Sequence, residues 1–65
     1  MIQYAVTLKS ADWTIFENGN VIASGMSRSR AIERAEVLAH EAIRSGEDVE
    51  LVVQGYTGEL LSRRT

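Results

Sequence analysis

Between Ser27 and Gly46, and nowhere else in the chain, apolar residues recur at helical spacing. Ala31, Ile32, Ala35, Leu38, Ala39, Ala42 and Ile43 fall on one arc at about 100° per residue, with Glu33, Arg34, His40, Glu41 and Arg44 outside it. The pattern predicts one amphipathic helix. Ser27 suits its N-cap, where a hydroxyl accepts an otherwise unpaired first-turn amide, and Gly46 suits its C-terminal left-handed residue. A lone helix can cover only one side of whatever layer the rest of the chain makes, and this limit governs the whole reading.

The remaining segments alternate or are rich in β-branched and aromatic residues. In IQYAVTLK, Ile2, Tyr4, Val6 and Leu8 lie on one side, with Gln3, Ala5, Thr7 and Lys9 on the other, which predicts a half-buried strand. A short turn at Ser10 and Ala11 leads to a second strand, DWTIFE. Asn18-Gly19 is a strong hairpin signal, because both residues accept the positive φ of a type I′ turn, and it leads to a third strand, NVIAS. After the helix come VELVVQ, a turn around Tyr56, Thr57 and Gly58, and a short final strand, ELLSR. The order is βββαββ, and a helical crossover sets the fourth strand parallel to the first. The expectation is a single α+β domain over residues 1–65, with one mainly antiparallel sheet and the helix packed on one face.

Tight turns fix the pairing. Phe16 is predicted opposite Val21, Ile15 opposite Ile22, Leu8 opposite Trp13, and Val6 opposite Ile15. Tyr4, Val6, Leu8, Trp13, Ile15, Ile22 and Leu51 then form the helix-facing core. Ala5, Thr7, Thr14, Phe16, Val21, Ala23 and Val52 collect on the reverse face, for which the chain supplies no second layer.

Composition narrows the function classes. A chain of 65 residues sits near the lower limit for independent folding, and with no Cys it has neither a disulfide framework nor a thiolate metal site. Its apolar runs fall short of the roughly 18 residues of a membrane span, and no basic-then-apolar leader opens the sequence, which reads as soluble and cytoplasmic. Seven basic against nine acidic side chains leave a net charge of −2, which disfavours nucleic acid as the principal partner. Neither a Gly-rich phosphate loop nor a set of catalytic carboxylates or a Ser/His/Asp order can be assembled, so the expectation is a non-enzymatic chain without cofactor or metal.

Several residues still invite a functional reading. Trp13, the single tryptophan, could stack on a ligand, but burial in the helix-facing core accounts for it better. His40 is solitary, falls on the helix's solvent side and has only Glu36 one turn away. Arg28 and Arg30 lie in the first helical turn, where free amides already favour anions, so a phosphate or acidic contact is conceivable there; a solvated pair offset by Asp12 and Glu33 is the simpler account. Arg63 and Arg64 are predicted at the opposite end of the sheet, which divides the positive charge. Gly55-Tyr56-Thr57-Gly58 has the spacing of a nucleic-acid-binding GXXG loop, but that loop joins helices and this one joins strands.

The order Trp13, Ile15, Gly19, Gly25, Ser27, Ala31, Ile32, Ala35, Val52, Val53 and Gly58 resembles small bacterial proteins grouped as a domain of unknown function. The segment from Tyr4 to Ala35, through Gly25, Ser27 and Ala31, is also similar to HicB-type antitoxins. That likeness implies a partial ribonuclease-H-like βββαβ fold and a toxin-neutralising role. Neither resemblance supplies a catalytic residue.

What the solitary helix does not account for is the reverse face. Ala5, Thr14, Phe16, Val21 and Val52 are therefore the candidate contact surface of an interaction module that self-associates or docks on another protein through this face or an edge strand. The alternative is a nucleic-acid contact through Arg28 and Arg30.

Overall fold

The computed structural model describes residues 1–55 and 58–63. Strands β1 (Ile2–Lys9), β2 (Asp12–Glu17) and β3 (Asn20–Met26) precede helix α1 (Arg28–Arg44), which is followed by β4 (Val49–Gln54) and β5 (Leu60–Arg63). They form one five-stranded sheet in the order β3-β2-β1-β4-β5. β4 runs parallel to β1 and the other pairings are antiparallel, as a crossover through one helix requires.

Local chemistry accounts for each boundary. Ser10 and Ala11 take φ of 51° and 71°, and Asn18 and Gly19 take 50° and 86°, so both hairpin turns have the left-handed backbone that matches strand twist. Asn18 also ties the β2–β3 turn to β1: its Oδ1 accepts from the Gln3 amide at 2.9 Å, while its own amide donates to the Gln3 carbonyl at 2.8 Å. Ser27 caps α1, its hydroxyl accepting from the Arg30 amide at 3.3 Å. At the other end the Gly46 amide donates to the Ile43 carbonyl and the Glu47 amide to the Ala42 carbonyl, with Gly46 at φ 90°. This paired closure satisfies carbonyls that the last turn leaves open.

The helix packs over β1, β4 and β2, reaches β3 at its margin and does not extend over β5. Tyr4, Val6, Ile15, Leu51 and Val53 from the sheet meet Ala31, Ala35 and Ala39 from the helix in the buried core. Three alanines spaced four apart let the helix axis approach the strands closely, and Ile32, Leu38, Ala42 and Ile43 flank the stripe half-buried. The predicted helical arc is therefore the packed arc.

Several predicted positions differ. The register between β2 and β3 shifts twice: Phe16 pairs with Val21, Ile15 with Ala23 rather than Ile22, and Trp13 with Met26. Each shift places two β3 residues opposite one of β2, as a β-bulge does. The first puts Ala23, half-buried, against the core in place of Ile22, which is 43% exposed. Simple alternation predicts each of them on the opposite face. The second shift spans Ser24 and Gly25, and Gly25 takes φ 77°, a conformation that glycine adopts without strain. Leu8 is also exposed, because β1 outruns its parallel partner: pairing with β4 ends at Val6 and Val53, and the Leu8 amide donates to the Gln54 side chain at 2.9 Å instead. Finally, Trp13 is half-buried at the margin of the core rather than within it.

Candidate interaction surface

Register places four of the five predicted contact residues in a single line across the sheet. Val21 pairs with Phe16, Phe16 with Ala5, and Ala5 with Val52. These four residues come from four adjacent strands, so with interstrand steps of about 4.8 Å the apolar row runs for roughly 14 Å. Val21 is 51% exposed, while Phe16, Ala5 and Val52 are half-buried. Ile22, turned outward by the first bulge, extends the apolar surface at the β3 end.

Polar rows border this line on both sides. Thr7 pairs with Thr14 on one side, and on the other Gln3 pairs with Glu50, its Nε2 donating to Glu50 Oε1 at 2.7 Å. Lys9 reaches back over the Phe16 ring, with Nζ 6.0 Å from the centroid, so a cation covers part of the largest apolar side chain. The resulting surface is an apolar band with a polar rim, which is the general layout of a protein contact.

Thr14 does not belong to that surface. Although it lies on the reverse face, it is 2% exposed, with its hydroxyl 3.5 Å from the Asp12 carbonyl. It shares a depression with Lys9, Ser10, Asp12, Val21 and Ser24. The second bulge sets two β3 residues opposite Thr14 and crowds the site, an effect that alternation along β2 cannot express.

The two arginines of the alternative reading are placed differently from one another. The Arg28 guanidinium stacks on Trp13, 5.6 Å from the ring centroid, and its Nε donates to the Gln54 carbonyl at 3.2 Å. Arg28 is thus a half-buried strut tying the start of α1 to β2 and the end of β4, whereas Arg30 is exposed. Arg63 pairs with Leu51, at the far end of β4 from Gln54, and Arg64 lies outside the described residues. Tyr56 and Thr57 also lie outside them; the Gly58 amide donates to the Gly55 carbonyl at 3.1 Å, closing a turn between strands.

His40 is exposed on the outer side of α1. Among the described residues, no group of three or more His, Cys, Asp or Glu side chains is arranged to hold a metal ion, and no helix is long and apolar enough to cross a membrane. Burial pushes the Tyr4 phenol up, helped by the negative charges of Glu17 and Glu41.

Sequence reasoning missed Ile22 as part of the apolar surface. Gly25 within the strand signals the second bulge, since an interior strand glycine often marks one, but no such residue signals the first, where Ile22 lies. No protein-family model, curated protein or solved structure matches the chain.

Proposed function

We propose that the chain is a non-enzymatic protein-interaction module whose contact surface is the row Val21, Phe16, Ala5 and Val52, extended by Ile22. The observation that carries this reading is the row itself: apolar residues of four strands, in register, on the side of the sheet that α1 does not cover. Removing one larger aliphatic or aromatic side chain from water contributes about 1.5–3 kcal/mol before association costs are subtracted. Two or three such side chains contribute about 3–9 kcal/mol in all, and a preformed sheet face keeps the ordering part of the association cost low.

The test is sedimentation, together with capture of partners, using wild type, Val21→Glu and Phe16→Glu, with circular dichroism as the folding control. Val21→Glu acts at an exposed site and leaves the fold intact. Association weakened in both folded variants supports the reading. A wild type that neither self-associates nor retains a protein partner overturns it. Salt-dependent retention on a generic oligonucleotide, reduced by Arg30→Ala, favours the nucleic-acid alternative, and retention of a toxin protein that the chain neutralises favours the antitoxin-like one.

A further inference from the structure

The two edges of the sheet are unequal. β3 breaks register twice against β2, and such bulges twist an edge away from further pairing. β5 pairs with β4 through four consecutive positions without a shift. It also carries Leu60 and Leu61 at 64% and 46% exposure: Leu61, opposite Val53, is on the helix side but beyond the reach of α1, and Leu60, opposite Gln54, is on the uncovered side. An exposed edge of this kind is a template for another strand.

The backbone pattern shows which groups that edge offers. The Gly55 amide donates to the Glu59 carbonyl at 2.6 Å, making Gly55 and Glu59 a hydrogen-bonded pair. Antiparallel ladders alternate, so Leu61 opposite Val53 is again hydrogen-bonded, and Leu60 and Ser62 direct their amides and carbonyls away from β4. Two outward residues flank Leu61 symmetrically.

The segment is also self-complementary in charge. In Glu59-Leu60-Leu61-Ser62-Arg63, a two-fold axis through Leu61 sets Leu60 opposite Ser62 of a second copy and residue 59, acidic, opposite residue 63, basic. This register uses every outward backbone group of both strands. A shift of two residues in either direction loses the Glu59 to Arg63 correspondence.

We infer that β5 pairs antiparallel with β5 of a second copy of this chain, with Leu61 on the two-fold axis, joining two sheets into one of ten strands. Leu61 and its counterpart form a non-hydrogen-bonded pair on the helix side, in the trough between the two helices. This contact goes beyond the proposed face contact and uses different residues.

Because the chain has no cysteine, a single introduced one reports the register. Non-hydrogen-bonded antiparallel partners have Cα atoms about 4.5 Å apart, within the range that a disulfide bridges. Leu61→Cys is expected to oxidise to a covalent dimer at least tenfold faster than Leu60→Cys, whose own counterpart is displaced along the strand. Equal rates, or no dimer from either, overturn the inference. Ser62→Pro supplies a second measurement: it removes an outward amide and leaves the amides facing β4 intact, so the folded variant should dissociate at about tenfold or more higher concentration than wild type. Dimerisation abolished by Val21→Glu but unchanged in folded Ser62→Pro overturns the edge contact and leaves the face reading standing. Dimerisation abolished by Ser62→Pro but unchanged by Val21→Glu supports the edge contact and counts against self-association through the face. A wild type that is monomeric at high micromolar concentration overturns the edge contact alone.

Discussion

Ile15 and Phe16 are neighbours in β2 and point to opposite sides of one sheet. Ile15 is completely buried beneath the helix, whereas Phe16 is half-buried beside Ala5 and Val21 with only the Lys9 stem folded over it. The two sides draw on similar residue types, yet on one a helix with an alanine stripe removes water and on the other no element among the described residues does. Alternation therefore makes two apolar faces equally well, and a covering layer is what turns one of them into a core.

This contrast can be broken most directly at the pair itself. Ile15→Ala is expected to cost about 2–5 kcal/mol, because it opens a cavity among atoms that cannot fully collapse. Phe16→Ala should cost about half that or less, since its site is already partly wet; chemical denaturation of both variants, under conditions where wild type is monomeric, makes the comparison. Equal losses would mean that the reverse face is as well packed as the core.

Enlarging a small residue gives a smaller effect of the same kind. Ala35 touches the sheet, and Ala35→Leu should cost about 1–3 kcal/mol by forcing the helix away. Ala5→Val, in the uncovered row, should stay within about 0.5 kcal/mol. A comparable penalty at Ala5 would reveal a second packed layer.

The smallest effect is confined to alkaline solution. Burial raises the Tyr4 phenol above its ordinary value of 10.0, so above that pH the unfolded chain has released a proton that the folded chain retains. Stability then falls as pH rises through the folded value, and its full contribution is present below the unfolded one. Tyr4→Phe should flatten this decline relative to wild type in thermal melts between pH 9 and pH 11, as estimated from the usual phenol range of about 10. An unchanged slope would mean that Tyr4 is not shielded by the helix-covered face.

Much of this arrangement was legible in the residues. The bounds of β1, β2 and β4, the cap at Ser27, the left-handed Gly46 and the parallel placement of β4 all follow from short-range signals, and all are present. So is the reverse-face row, because Phe16 pairs with Val21 and Ala5 with Val52 as turn geometry and the crossover imply. The misplacements gather at the edge strand and the sheet end. Ile22 and Ala23 exchanged sides, Thr14 was buried on an uncovered face, Leu8 lost its cover and Trp13 moved to the margin beneath Arg28. Each depends on how two chain segments meet, whereas alternation describes only one.

By itself the sequence determined the order of elements, their turns and caps, and the existence of two apolar sheet faces. Such features arise from backbone preferences and side-chain spacing acting over a few residues. Only the tertiary structure decided which β3 residues turn inward, where the helix stops covering the sheet and which edge remains unbroken. Those outcomes depend on fitting extra residues and a helix of finite reach against partners distant in the chain.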